Sequence, residues 1–342
     1  MRCVPPTSPP PRRPPPSSLW SGAFARVHRR RDPGNTVRVE DWRATPSAVM
    51  AGLFAGESAR WREALHWDYD DTRRQLERAR RQGLVPGLVA RDERGDGAGW
   101  TFFLRDGDEL QIGGLAARDG AVAATLLGRV LETPAARDSR RAMFFGYTSA
   151  PSVPEALSGH GFAVGTYHYL QRELDDQVAT AGGGAEPLDA RPWSDTDLVD
   201  AASLIESAYP DADPLRPFGH RGRPGEWLVY TQRLVATPGC GVFVPALSPV
   251  VPRAGGGLDA AALVTRLAED TVHLAQIAVR RERRGAGLAT RLLQRAMDDA
   301  ARAGHRRMTL LVSESNAAAR RLYERAGFVE AARFVTAAKS TI

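Results

Sequence analysis

Apolar residues recur along this chain with two different periods, and the change from one to the other marks its elements. In TVHLAQIAV (Thr271–Val279) a nearly unbroken run of β-branched and apolar residues predicts a buried strand, central to its sheet. After a basic, glycine-rich stretch, Leu288, Leu292, Leu293, Ala296, Met297 and Ala300 recur at helical spacing, and Gly304 stands where a carboxy-terminal cap belongs. That pattern predicts a helix packing one face on the sheet. MTLLVS (308–313) is the next strand, and a short helix begins at Asn316 and ends at Gly327. Upstream, a helix is expected around 196–208 and strands near 241–244 and 260–266.

Helical and strand patterns also alternate from Thr36 to about Leu174, and DDQVATAGGGA then breaks them with small and polar residues. The predicted organisation is a tail over 1–36, a first domain over 37–175, a linker over 176–185 and a second domain over 186–342. The two domains look like copies. In the first, ELQIGGLAA, AVAATLLGRVLE, RAMFFGYTS and VPEALSGHGF repeat the strand, helix, strand, helix order of the second. Phe162 lies 51 residues after Gln111, and Phe328 lies 52 after Gln276. Each predicted domain is α/β (α+β), with a mostly antiparallel sheet flanked by helices.

Composition narrows the function classes. The 342-residue chain carries a formal charge of +6, but residues 1–31 hold seven arginines and no acid, so the body is close to neutral. A nucleic-acid-binding face would need a cationic stripe on an ordered element, and none is expected. With eight prolines in its first sixteen positions the tail is read as a disordered or polyproline-like extension, or as a docking peptide for a proline-binding partner. No apolar run approaches the roughly 18 residues of a membrane span. Cys3 and Cys240 are too few for a disulfide framework or a metal cluster, which fits a reducing, cytoplasmic setting.

The chemistry concentrates between His273 and Phe328. A glycine-rich loop opening directly into a helix aims several unpaired backbone N–H groups at one point, where the helix dipole also favours negative charge. Gly285 and Gly287 lack the Cβ that would block a pyrophosphate, and arginines surround them. Glycine in a turn would account for the loop alone. The spacing is that of neither a Walker loop, which needs Gly-Lys-Ser/Thr, nor a dinucleotide fingerprint, which needs a third glycine and a later acid.

These residues resemble the GCN5-related N-acetyltransferase (GNAT) superfamily. Its loop signature is Gln or Arg, two residues, Gly, one residue, Gly or Ala, and Arg284, Gly287 and Ala289 fill those places. Asn316, Tyr323 and Gly327-Phe328 match the downstream pattern. The resemblance covers roughly residues 271–334 and implies acetyl-coenzyme A as cosubstrate. It assigns the backbone of Ile277, Ala278 and Val279 to the pantetheine arm, and Arg284, Gly285, Ala286, Gly287, Leu288 and Ala289 to the pyrophosphate. Asn316 is expected to orient the cofactor or cap the helix. Tyr323 is the expected general acid, a phenol protonated at neutral pH that can donate to a departing thiolate.

The base is open. Many members of the family use a carboxylate on the strand before the loop, whereas Gln276 occupies this one. His273, Glu314 and Glu269 or Asp270 are the remaining candidates. The acceptor, a primary amine of a small molecule or peptide, is also open. The arginines of RPFGHRGR (Arg216, Arg221, Arg223) are expected either to meet an anionic group on it or to be solvated. Counted from Gly161-Phe162, the first copy has Ala150 and Leu157 in place of Asn316 and Tyr323, and its loop is shorter. A degenerate copy is expected, one that completes an intrachain pseudo-dimer and walls the acceptor cleft without binding cofactor. Two functions follow: an acetyl-coenzyme A-dependent N-acetyltransferase, or a non-catalytic acyl-coenzyme A-binding regulatory module.

Overall fold

The computed structural model describes residues 37–148, 152–174, 188–209, 213–219, 225–237 and 239–340. The expected tail, the expected linker, and Ala150, Arg221 and Arg223 lie outside them. Residues 36–342 form one compact unit. Its first half runs β1 (Arg38–Asp41), α1 (Ser47–Leu65), α2 (Asp70–Arg81), β2 (Gly87–Arg91), β3 (Gly97–Asp106) and β4 (Glu109–Ala117). It continues with α3 (Gly120–Leu131), α4 (Pro134–Arg137), β5 (Arg141–Tyr147), α5 (Ser152–Gly159) and β6 (Ala163–Glu173). The second half has β7 (Arg191–Pro192), α6 (Leu198–Ala208), α7 (Glu226–Ala236), β8 (Val242–Phe243), β9 (Pro249–Pro252), β10 (Leu258–Arg266) and β11 (Thr271–Val279). It ends with α8 (Leu288–Arg302), β12 (Arg307–Ser313), α9 (Ala317–Arg325) and β13 (Val329–Ser340).

The sheet is mixed and mostly antiparallel, in the order β1-β2-β3-β4-β5-β13-β6-β12-β11-β10-β9-β7, with β8 beside β10. Parallel pairing joins β4 to β5, across α3 and α4, and β11 to β12, across α8. The centre is an exchange. The last strand of the chain, β13, lies between β5 and β6, while β6 of the first half pairs with β12 of the second. Each half therefore receives its neighbouring strand from the other.

Side-chain periodicity explains the layers. Leu288, Leu292, Leu293, Ala296, Met297 and Ala300 are all buried, and they join Val272, Leu274 and Val279 of β11 in one core. Fully burying a leucine contributes roughly 1.5–3 kcal/mol, so this stripe fixes α8 on the sheet. On the opposite face, α6 and α7 bury Ala201, Leu204, Ile205, Trp227 and Leu234 against Ala261, Leu263 and Ala278. The first half repeats the helix layer with Leu126, Leu127 and Val130 of α3.

The repeat holds, but its anchor is displaced from the sequence alignment. The last parallel pairs before the strands part are Ile112–Phe144 in one half and Leu274–Leu310 in the other. Each half then has a bulge one residue later, at Gly113 and Ala275. Gln111 thus corresponds to His273, and Gly114 to Gln276. Similar total spacing hid this because the loop before α3 is two residues long and that before α8 is eight.

Candidate active site

Strands β11 and β12 are hydrogen-bonded only from Thr271–Arg307 to Leu274–Leu310. Beyond Leu274, β11 follows β10 and β12 follows β6 as far as Ser313, so a cleft opens between them. The bulge at Ala275 sits where they part, and an extra residue in one strand bends it. From Gln276 to Val279, the backbone edge turned toward β12 lines this cleft and needs hydrogen-bond partners there.

At the end of β11 the chain makes a 3-10 turn over Arg281–Arg283, and Gly285 and Gly287 follow with φ of +80° and +73°. Glycine adopts that left-handed backbone at little cost, whereas a residue with a Cβ is strained there. A Cβ on either glycine would meet nothing within 4 Å, so the space in front of the loop is open. Gly287 is the N-cap of α8, and no side chain caps the helix. Its first N–H groups thus point outward at the positive end of the helix dipole. Asp259 pairs with Arg280 at 3.6 Å and Arg283 at 3.3 Å, and Arg284 Nε donates to the Val279 carbonyl at 3.1 Å, bracing the loop.

The equivalent place in the first half is closed. Asp119 caps α3, its carboxylate accepting from the Val122 N–H at 2.9 Å. That carboxylate satisfies a terminal donor and repels any phosphate. On the other face of the sheet Trp42, Trp100 and Phe102 stack with centroids 5.9–6.3 Å apart, and Phe102 covers Gly113 so closely that a Cβ there would lie 2.1 Å from its ring.

The residues singled out in the sequence fall into three groups. Ile277 and Val279 pack toward α8 and Ala278 toward α6 and α7, which leaves their backbone to the cleft. Arg284, Gly285, Ala286 and Gly287 form the exposed loop, while Leu288 is buried and Ala289 half-buried behind it. Tyr323 is buried on α9 with its ring edge-on to Phe328 at 5.9 Å. Burial, reinforced by the Tyr209 phenol, pushes its pKa up. The phenol is therefore protonated at neutral pH.

Asn316 is exposed and caps α9, Oδ1 accepting from the Ala319 N–H at 3.1 Å. Glu314 is exposed at the end of β12, its backbone N–H donating to the Thr166 carbonyl at 3.0 Å. His273 lies on the hydrogen-bonded part of β11, opposite Thr309, away from the cleft. Its Nδ1 is 2.9 Å from the Thr309 hydroxyl, and its ring sits 6.0 Å from Trp67 and 6.1 Å from Tyr169. Burial lowers its pKa to about 4. Asp270 is at the far end of the strand, its carbonyl accepting from the N–H groups of Arg306 and Arg307.

What sequence reasoning missed is the cluster around Gln276. The Tyr209 hydroxyl donates to Gln276 Oε1 at 2.8 Å, and Gln276 Nε2 donates to the Tyr230 hydroxyl at 2.5 Å. Burial raises both phenols, Tyr209 to about 12. Tyr167 of β6, from the first half, stands opposite Ser313 of β12, and burial, reinforced by Asp213 and the Tyr209 phenol, pushes its pKa up. Arg216 is buried rather than solvated: it donates to the carbonyls of Phe218 at 2.9 Å and Gly219 at 2.5 Å. Its guanidinium stacks 5.3 Å from the Tyr209 ring and 5.2 Å from that of Trp227. The only hint in sequence was the density of aromatics between Tyr209 and Tyr230.

Among the described residues no cluster of His, Cys, Asp or Glu could hold a metal, and no helix is long and apolar enough to cross a membrane. The sequence profile of the acetyltransferase (GNAT) family matches residues 211–328. No curated protein matches the chain. Solved structures do. A GCN5-related N-acetyltransferase from Sphaerobacter thermophilus is 21% identical over 90% of this chain and 96% of its own, with a TM-score of 0.57. A tandem GNAT protein from the clavulanic acid biosynthesis pathway is 18% identical over 75% and 82%, with a TM-score of 0.51. A GNAT-family acetyltransferase from Colwellia psychrerythraea is 15% identical over 88% and 99%, at 0.51. These identities show a shared fold, and the match to the acetyltransferase (GNAT) profile lies in the carboxy-terminal half of the chain, over the stretch that carries the open loop and the parted strands.

Proposed function

We propose that the carboxy-terminal half is an N-acetyltransferase that uses acetyl-coenzyme A, and that the amino-terminal half is a degenerate copy serving as scaffold. The observation that carries this reading is the contrast between two equivalent helix starts. Helix α8 has an uncapped amino terminus behind Gly285 and Gly287, beside a parted pair of strands, whereas α3 is capped by Asp119. The residues fit the cosubstrate: backbone N–H groups from Arg284 to Ala289 would hold the pyrophosphate, and the edge of Ile277–Val279 the pantetheine arm. When bound, acetyl-coenzyme A would supply a thioester carbonyl for a neutral amine to attack, the C–N bond forming as the C–S bond breaks, with one proton lost from nitrogen and one gained by sulfur.

Tyr323 would then hold a proton for the departing sulfur. Burial keeps the phenol protonated and excludes water around it. A strand N–H at the cleft would stabilise the developing oxyanion. The arrangement supplies an acid and a positioning surface, and Gln276 cannot accept a proton usefully.

Gln276 also supports a second reading, a coenzyme A-binding module whose catalysis has lapsed. Calorimetry with coenzyme A and a thiol-release assay with acetyl-coenzyme A across amino acids, polyamines, aminoglycosides, arylamines and peptides separate the two. Binding with turnover is expected; binding without turnover favours the module, and no binding removes both.

A further inference from the structure

The proposal concerns the acceptor, and it rests on the acetyltransferase reading above. In Gln276 one amide bridges two phenols, accepting from Tyr209 and donating to Tyr230. Whichever way the amide is turned, one phenol gives up its proton to it and the other receives one. One hydroxyl therefore keeps free lone pairs and the other keeps a proton to offer. Such a pair recognises a ligand with an N–H donor and a nearby acceptor atom, without calling for a net charge.

Among the described residues, Asp213 and Arg216 are the charged groups brought near this pair. Tyr167 on β6, Ser313 on β12 and Tyr323 on α9 are neutral. The loop before α7 brings Asp213 near Tyr167, and it brings the buried Arg216 guanidinium against the Tyr209 ring. An ammonium entering here would lose its hydration and meet an amide where a carboxylate would have paired with it, and a buried, poorly paired charge is costly. A neutral amine avoids that cost and already has its lone pair free for attack.

We propose that the acceptor is a weakly basic amine, uncharged at neutral pH and of the arylamine type, held between Tyr209 and Tyr230 against the aromatic wall of Phe218 and Trp227. Phe218 lies 4.8 Å from Tyr230 and Trp227 lies 5.0 Å from Tyr209, each stacked, so the wall is preformed. Such a substrate also needs no base before attack, because its nitrogen arrives with the lone pair free; the proton it sheds as the C–N bond forms replaces the one that Tyr323 gives to the sulfur.

The test compares aniline with benzylamine, which differ by one methylene and several orders of magnitude in basicity, in thiol release at saturating acetyl-coenzyme A. Aniline is expected to be favoured in kcat/KM by about tenfold or more at neutral pH, with little change across roughly pH 6 to 9. Gln276→Glu, which places a carboxylate opposite both phenols, should shift the ratio toward benzylamine by about tenfold or more. Preference of the wild type for benzylamine, with kcat/KM rising about tenfold per pH unit, would overturn this inference and leave the acetyltransferase reading standing. Coenzyme A binding with no turnover of any amine would overturn the acetyltransferase reading and this one with it.

Discussion

Tyr167 and Ser313 stand directly opposite each other in antiparallel register, although one belongs to the first half of the chain and the other to the second. The pair brings a phenol of the first half to the electrostatic environment of Tyr209. It also records the exchange: among the described residues β6 pairs only with strands of the second half, and β13 pairs along β5 from Phe334–Tyr147 to Ser340–Arg141.

Separation of the halves should therefore fail. A chain ending near residue 175 has β6 without either native partner, and one starting near 186 leaves β12 exposed along its Arg307–Ser313 edge. Unpaired edges of that length promote association. Each half expressed alone is expected to aggregate or self-associate, and co-expressed halves to elute as a one-to-one complex in size-exclusion chromatography with light scattering. A monomeric half with a cooperative melting transition would contradict the prediction.

Much of the site was legible because backbone chemistry wrote it into short stretches. Apolar spacing fixed α8 and β11, and Gly285 and Gly287 marked a loop whose positive φ only glycine takes easily. The exchange was not legible, since alternating residues in β6 and β13 suit either neighbour equally. Nor was the phenol pair: Tyr209 and Tyr230 lie 67 and 46 residues from Gln276, and only the packing of α6 and α7 brings them together. His273 drew notice as a titratable group near the motif. The burial that removes it from the cleft depends on Trp67 and Tyr169, contributed by the first half.

The two helix starts should respond oppositely to substitution. Gly287→Val puts a branched side chain at a φ of +73° in front of the open N–H groups, where the left-handed backbone costs roughly 1–2 kcal/mol and the side chain occupies the anion's place. The coenzyme A Kd should rise by about tenfold or more by calorimetry, with only a modest fall in Tm. Asp119→Ala removes a cap worth about 1 kcal/mol and should lower Tm while leaving coenzyme A affinity unchanged. Loss of coenzyme A binding in the Asp119 variant would mean that the first copy is not closed.

Tyr323→Phe keeps the ring that packs on Phe328 and deletes only the hydroxyl. If the phenol donates to the leaving sulfur, kcat should fall by about a hundredfold or more while coenzyme A affinity stays within about twofold. Stopped-flow thiol release and calorimetry read the two quantities separately. Equal kcat would assign Tyr323 to the core alone.

His273 should make the protein lose stability in mild acid without shaping its activity. The folded imidazole titrates near 4 because burial disfavours its charged form, against 6.5 for the ordinary group. Between those values the unfolded chain binds a proton that the folded chain refuses, so stability rises with pH across this window and falls as acid is added. Its contribution is fully present above about pH 6.5 and is lost progressively toward pH 4, a difference on the order of 3 kcal/mol. Urea denaturation at pH 5 and pH 7.5 should show this slope in the wild type. In His273→Gln, which keeps a hydrogen-bonding side chain beside Thr309 and has no proton to bind, the slope should be reduced. The pH dependence of kcat/KM should be the same in both proteins, because the imidazole lies on the paired part of β11 and not in the cleft. A limb in the kcat/KM profile that disappears in the variant would instead return His273 to the chemistry.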